Sequence, residues 1–285
     1  MALRIRCRQI ASADIDGVVN LLTSGFRIRS RDFWVRAFQR LSEHATVPGF
    51  PKYGYLLEAQ GTPVGVVLLI FSSIVVNGEL KIRCSMSSWY VEPAFRAYGA
   101  ILRSQALKHE HVTYFNITPG PHTLPILEAQ GFERYCDGRF VAVPALSMRS
   151  KCSCLEVVTP DICADEDLPS SEIELLLAHA RYGCISVACS SADGRHPFVF
   201  LSLRKAGAHY AYLAYCRDVE EFVRFAGPLG RFLARRGLPL VVLDANGPIN
   251  ALIGRYSNGF PKFFKGANKP RVGDLAYSER VMFGF

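Results

Sequence analysis

Cys84-Ser85-Met86-Ser87-Ser88-Trp89-Tyr90-Val91-Glu92-Pro93-Ala94-Phe95-Arg96-Ala97-Tyr98-Gly99-Ala100-Ile101-Leu102 is the stretch on which the reading of the fold turns. An apolar strand runs up to Val91. Pro93 has no N–H and ends its ladder pairing. A short loop then carries Arg96 and Gly99, and a helix starts at about Gly99. A strand that feeds a loop opening a helix is an anion site. The first helical N–H groups lack an internal partner, and the helix dipole adds positive potential there. Arg96 adds a charged fork suited to phosphate.

Upstream, Arg4 to Ile10 alternates as a first strand. Ser12 stands as an N-cap with Asp14 and Asp16 in the first turn, and Ile15, Val18, Val19 and Leu22 share one face up to Gly25. Asp32 to Leu41 reads as a second helix. Tyr53 to Ala59 and Val64 to Val76 are strands joined by a turn at Gln60-Gly61-Thr62-Pro63. Asn77-Gly78 is a hairpin signal, and Leu80 to Val91 returns as the strand of the opening stretch. Downstream, a helix runs to about His109 and Val112 to Ile117 is a strand. A helix over Thr123 to Gln130 ends at Gly131, and Arg139 to Val143 supplies another strand.

The second half repeats these landmarks. Leu240 to Ala245 is a strand 128 residues after Val112 to Ile117, and Gly259-Phe260 lies 128 residues after Gly131-Phe132. Asn250 to Ser257 is expected as the matching helix. Turns at Ala192-Asp193-Gly194 and Lys205-Ala206-Gly207 fall at similar offsets from Gln60-Gly61 and Asn77-Gly78. A shared offset predicts two copies of one architecture, with domains at 1–148 and 149–285. Asp218 to Arg236 carries a stripe of Val219, Phe222, Val223, Ala226, Leu229 and Leu233. Pro228 is expected to kink this helix or start a second segment. At its start, Asp218, Glu220 and Glu221 replace the Arg-x-x-Gly loop and would repel a pyrophosphate.

A chain of 285 residues, 49% hydrophobic and 20% charged, has the composition of a soluble globular protein. Its longest apolar run, Gly65 to Val76, is too short to span a bilayer, and the N-terminus lacks a signal-like apolar core. A cytoplasmic location is expected. Nine cysteines without Cys-x-x-Cys, the closest pair being Cys152-Ser153-Cys154, read as reduced thiols and not as a metal site. Cys84, Cys184 and Cys189 fall in apolar runs. The net charge of +8 fits an anionic partner. The clusters Arg27 to Arg31 and Arg231 to Arg236 read as solvated faces, no RNA-binding signature stands out, and nucleic acid is not the expected partner.

Val91-Glu92-Pro93 followed by Arg96-Ala97-Tyr98-Gly99-Ala100-Ile101 resembles motif A of the GCN5-related N-acetyltransferase (GNAT) superfamily. Gly131-Phe132 resembles that family's helix-ending pair. The resemblance implies an α/β fold with two tandem GNAT-like domains, mixed and mostly antiparallel sheets flanked by helices. It implies acetyl-CoA or another acyl-CoA as cosubstrate, no metal, and a small amine-bearing acceptor lined by the junction of the first two helices. Tyr90 and Val91 would bind the pantetheine arm. Arg96, Ala97, Tyr98, Gly99, Ala100 and Ile101 would bind the phosphates, with Ile101 standing where Gly or Ala is usual.

The implied reaction is acyl transfer to an amine of a small molecule, amino sugar or peptide. It needs a base for the amine and an acid for the leaving thiolate. Leu127 occupies the family's usual acid Tyr position, and Gly120 that of its Asn. The substitutes are Tyr114 and Asn116 on the neighbouring strand, His122 after it, and Glu92 as a base through water. Glu58 is a further carboxylate on an adjacent strand. The alternative is a catalytically degenerate GNAT-fold binding or sensor module. The sequence leaves a homodimer open.

Overall fold

The computed structural model describes residues 4–76, 78–147, 154–159, 168–205 and 207–284. They form two compact units. The first runs to Ile117 and takes in Phe264–Asn268 and Tyr277–Phe283. The second comprises Thr118–Phe263 and Lys269–Ala276. The units therefore interleave along the chain. The expected boundary near 148 falls on residues 148–153, outside the described residues, as do Asn77 and Ala206 of the two expected turns.

In the first unit the order is β1 (Ile5–Gln9), α1 (Ile15–Gly25), α2 (Arg31–Glu43), β2 (Gly54–Ala59), β3 (Thr62–Val76), β4 (Glu79–Val91), α3 (Gly99–Ala106) and β5 (Thr113–Asn116). Strands β1 to β4 pair antiparallel in sequence order, and β5 lies parallel to β4. Such a parallel pair needs a crossover, which α3 provides. The next strand is the end of β12 (Gly254–Lys265), whose Phe264 and Lys265 belong to this unit. The backbone N–H of Asn268 donates to Thr113 Oγ1 at 3.3 Å.

The start of α1 differs from the expected Ser12 cap. A 3-10 turn over Ser12–Asp14 precedes it, and the Asp14 carboxylate accepts the Ala11 N–H at 2.8 Å. Arg8 holds Asp14 in place through 2.6 and 2.8 Å bonds. Helix α2 is capped by Ser30 Oγ, which accepts from the N–H of Phe33, and it buries Trp34, Ala37, Phe38 and Leu41. The short α7 (Glu279–Phe283) docks on α2. Phe283 lies 6.5 and 6.2 Å from the rings of Phe33 and Trp34, and Arg40 Nη1 donates to the Met282 carbonyl at 3.3 Å.

The second unit contains α4 (Leu124–Ala129), β6 (Glu133–Ala142), β7 (Cys154–Val157), α5 (Ser170–Arg181), β8 (Ile185–Ser191), β9 (Gly194–Lys205), β10 (Ala208–Tyr215), α6 (Val219–Ala234), β11 (Val241–Ala245) and most of β12. Its strand order is β12-β6-β11-β10-β9-β8-β7, with β10 and β11 parallel. Helix α6 buries Phe222, Phe225, Ala226, Leu229 and Leu233 against Phe198, Phe200, Leu213 and Leu243. Pro228 neither ends nor splits α6. Its ring sits inside one continuous helix, and the apolar stripe on both sides of it outweighs the lost hydrogen bond. On the other face of this sheet, Lys262 and Asp244 pair at 2.6 Å in the interior, and the Tyr212 hydroxyl donates to the same carboxylate oxygen. Charges this deep are tolerated only when paired and hydrogen-bonded.

The expected helix over Asn250–Ser257 is absent; Gly254 onward is strand β12. The N–H of Val143 donates to the Ile253 carbonyl at 2.8 Å. A Cβ at Gly254 would lie 2.2 Å from the Val141 carbonyl oxygen, so β12 packs where only glycine fits. Pairing with β6 overrides the local pattern. Gly259-Phe260 is accordingly strand residue and not a helix end. The repeat persists where pairing enforces it: β5 and β11 share the 128-residue offset, and each lies parallel to the preceding strand.

Gly230 faces the Pro144–Ala145 backbone, where an added Cβ would meet the Ala145 nitrogen at 2.2 Å. Gly230→Ala must push the turn away from α6. Overpacking of this kind costs about 1–3 kcal/mol. Urea unfolding should show a lower midpoint with an unchanged slope.

Candidate acyl-transfer site

The site of interest in the first unit grows from the pairing of β4. Its parallel register with β5 runs Arg83–Thr113, Cys84–Tyr114 and Ser85–Phe115 and ends there, although β4 continues to Val91. Just past that point β4 carries a bulge. Val66 of β3 pairs with Tyr90 and Leu68 with Ser87, so β4 holds one extra residue between them. Ser88 there has φ of 51°, a conformation a side chain adopts only under local constraint. The Ser87 and Ser88 hydroxyls are 2.9 Å apart. Beyond Ser85 the end of β4 runs on with β3 as its ladder partner and without β5.

Tyr90, Val91 and Glu92 lie half-buried at the end of β4, past its pairing with β5. The Tyr90 ring covers Gly25 at the end of α1; a Cβ on Gly25 would meet that ring at 2.6 Å. The Glu92 N–H donates to the Val64 carbonyl at 2.9 Å, which keeps Glu92 on the sheet. The expected open loop is instead a 3-10 turn over Pro93–Tyr98 leading directly into α3. Within it the Phe95 N–H donates to Glu92 and the Gly99 N–H to Arg96. Amides in such a turn point along the helix to carbonyls three residues back. Arg96, Ala97 and Ala100 are exposed, Tyr98 is half-buried and Gly99 is buried. Ile101 is 45% exposed, so its side chain points to solvent and not into the strand end. Gly99 lies against Val91 and Trp89 at van der Waals distance, which folds the turn back on the strand.

On β5, Tyr114 is buried and its hydroxyl accepts from the His109 backbone N–H at 3.3 Å. Burial holds this phenol well above the ordinary tyrosine range, so it stays protonated. Asn116 ends β5, and its Oδ1 is buried without a hydrogen-bond partner among the described residues. An unpaired buried acceptor costs about 1–3 kcal/mol. The structure thus brings Tyr90, Val91, Glu92, the 96–101 turn, Tyr114 and Asn116 onto two adjoining strands and the turn after one of them. His122 is an exposed loop residue of the second unit. Glu58 is bound by Arg8 at 2.7 Å, as part of the Arg8–Asp14 network.

Sequence reasoning missed the aromatic group beside Tyr90. Phe26 lies 6.1 Å from Tyr90 and 5.6 Å from Trp34, and Trp34 lies 5.0 Å from Phe33. Among the described residues the buried Trp34 Nε1 has no hydrogen-bond partner. The spacing of Phe26, Phe33 and Trp34 around a turn was the only available signal, and Phe283 joins from the far end of the chain. The neighbouring basic cluster is partly internal: Arg31 pairs with Asp16, and Arg29 stacks 4.7 Å over Phe33. Cys7, Cys84, Cys136 and Cys216 are free thiols; all of these but Cys7 are buried, as are Cys184 and Cys189. Burial pushes the Cys84 thiol up, which leaves it inert.

The second unit has a similarly short parallel pairing. Strands β10 and β11 pair at Ala211–Val241 and Tyr212–Val242, and β10 bulges between Leu213 and Tyr215. Strand β9 still holds one edge of β10 at Tyr215. On the other edge, the Leu275 N–H donates to the Ala214 carbonyl at 2.8 Å and the Cys216 N–H to the Gly273 carbonyl at 3.0 Å. The segment Gly273–Leu275 therefore forms an isolated antiparallel bridge, Tyr215–Asp274, along that edge. Asp218 caps α6 by accepting the Glu221 N–H at 2.5 Å, so acid also occupies the anion position.

Solved structures share this fold. A GCN5-related N-acetyltransferase from Anabaena variabilis ATCC 29413 superposes with a TM-score of 0.61 at 11% identity, over 96% of this chain and 74% of that one. One from Kribbella flavida gives 0.58 at 12% identity, over 92% and 71%. A protein from Pyrococcus horikoshii, assigned provisionally as an acetyltransferase, gives 0.58 at 11% identity, over 96% and 93%. No family model matches the sequence, and no curated protein matches it. Among the described residues, no helix is long and apolar enough to cross a membrane.

Two outcomes follow from this geometry. Ser88→Val places a β-branched side chain at positive φ and should cost about 1–2 kcal/mol, seen as a lower melting temperature. The hydrogen bond from Arg8, joined by the Ala11 amide, holds the Asp14 carboxyl below the usual carboxylate range. A depressed folded value stabilises above the unfolded pKa of about 3.9 and is lost as pH falls through the folded one. Stability should therefore drop below about pH 4, and a denaturation series should show a shallower drop there for Asp14→Asn.

Proposed function

We propose that this chain is an acyl-CoA-dependent N-acyltransferase, moving an acyl group to the amine of a small molecule, amino sugar or peptide. The observation that carries the reading is β4 of the first unit, which outruns its parallel partner, bulges, and feeds a proline-led turn into α3. An extended thioester arm would add alongside β4 near Tyr90 and Val91, with its phosphates at Arg96, Ala97, Tyr98, Gly99, Ala100 and Ile101. In the reaction the amine nitrogen forms a bond to the thioester carbonyl carbon, the C–S bond breaks, and the thiolate takes a proton. Glu92 would take the amine proton through water. The protonated Tyr114 phenol, or His122, would supply the thiolate. Asn116 Oδ1, lacking a partner among the described residues, suits an N–H of acceptor or cosubstrate. The aromatic group beside Tyr90 would face the acceptor. No metal enters this scheme. A cytoplasmic enzyme whose first unit holds the coenzyme and whose second does not fits the reading.

One observation favours a second reading, a GNAT-fold binding or sensor module. The 3-10 turn directs the Phe95 and Gly99 amides inward, which leaves fewer donors for a pyrophosphate. A thermal-shift titration with coenzyme A, acetyl-CoA and a long-chain acyl-CoA separates the cases. Ligand at 100 times its Kd adds about 2.7 kcal/mol, enough to raise the melting temperature visibly. The enzyme reading expects a shift that Arg96→Glu abolishes, together with thiol release when amines are supplied. A shift without thiol release from any amine would favour the sensor. The absence of any shift would remove both.

A further inference from the structure

In the second unit, three polar side chains line up beside the β8–β9 hairpin. Ser191 ends β8, His196 follows the turn on β9, and Glu221 sits in the first turn of α6. Ser191 Oγ is 2.9 Å from His196 Nε2, and His196 Nδ1 is 2.5 Å from Glu221 Oε1. His196 is 6% exposed and packs 4.5 Å from the Phe225 ring. Among the described residues Glu221 Oε2 is buried without a hydrogen-bond partner, and Arg217 Nη1 is 3.5 Å from Oε1. A desolvated carboxylate thus fixes the ring with one nitrogen toward it and the other toward the hydroxyl. These are the roles and distances of a nucleophile, base and orienter.

The Ser191 hydroxyl has a competing neighbour. Its Oγ is 2.6 Å from Asp193 Oδ1 and 3.4 Å from the Gly194 carbonyl. Both guanidinium nitrogens of Arg224 grip Asp193 at 2.5 Å. This pair holds the Asp193 carboxyl far below its usual range, so Asp193 orients the hydroxyl but does not take its proton. The imidazole is the basic acceptor. The hairpin tip, Ala192 to Gly194, is exposed, so reagents reach it from solvent.

We propose that Ser191 is a nucleophile with His196 as its base and Glu221 as the residue positioning the imidazole, acting on small activated carboxylic esters. Oγ bonds to the ester carbonyl carbon while its proton passes to His196 Nε2. The C–O bond to the alcohol breaks, and the alcohol leaves with that proton. Water then cleaves the seryl ester by the same route, releasing the acid and restoring the hydroxyl. The site is independent of the acyl-CoA reading.

The full chain would be treated with a fluorophosphonate and mapped by peptide mass spectrometry, and p-nitrophenyl acetate hydrolysis followed in parallel. The proposal expects the adduct on Ser191 of the unaltered protein. It expects hydrolysis to fall about 100-fold in Ser191→Ala and His196→Gln. Glu221→Gln should lower the rate and Glu221→Asp should restore part of it. No adduct at Ser191, or hydrolysis unchanged in a folded Ser191→Ala, overturns it. Labelling needs no variant, so a variant that fails to fold leaves that test intact.

Discussion

The rest of the first unit depends on one unequal pairing. Strand β4 is held along one edge by β3 over its whole length but shares only three residues with β5. Backbone groups at a strand end seek partners, and an unsatisfied edge is where another extended chain adds. At Ser88 the bulge puts one extra residue into β4, which its ladder with β3 accommodates only by re-aiming the strand locally. Everything placed around it follows: the Tyr90 ring over Gly25, Glu92 tied to Val64, Gly99 against Val91, and Asn116 at the end of the short partner.

The second unit shows what the same constraint does when the chain supplies its own solution. Strand β10 bulges at the corresponding point, and Gly273–Leu275 takes the edge that β11 leaves. The anion corner is likewise taken, by Asp218 as the α6 cap. There the chain itself satisfies the backbone edge, and an acidic cap stands at the helix start. Polar groups in that unit are instead gathered elsewhere, in the Lys262–Asp244–Tyr212 group and along the β8–β9 hairpin.

Much of this was legible from residues alone. The strands from Arg4 to Val91 and the helix after Gly99 follow from alternation, Pro93 and helix start signals, and lie within a few residues of the observed elements. The offset that relates β5 to β11 was visible as spacing. The failures lie where tertiary pairing decides. Asn250–Ser257 became strand because β6 offers its edge, and Pro228 stayed inside α6 because the core on both sides outweighs one hydrogen bond.

The sequence by itself determined the local corner, Val91-Glu92-Pro93 running into Gly99, because proline and glycine act on their own backbone. It also determined the loss of that corner in the second half, where acidic residues replace it. Only the tertiary structure decided that β5 stops short of β4, that Ser88 bulges, that Asn116 Oδ1 and Trp34 Nε1 are left without partners among the described residues, and that Ser191, His196 and Glu221 form a line. Each depends on groups brought together from distant parts of the chain. Burial and hydrogen-bond satisfaction there are properties of the packed whole, and no local pattern encodes them.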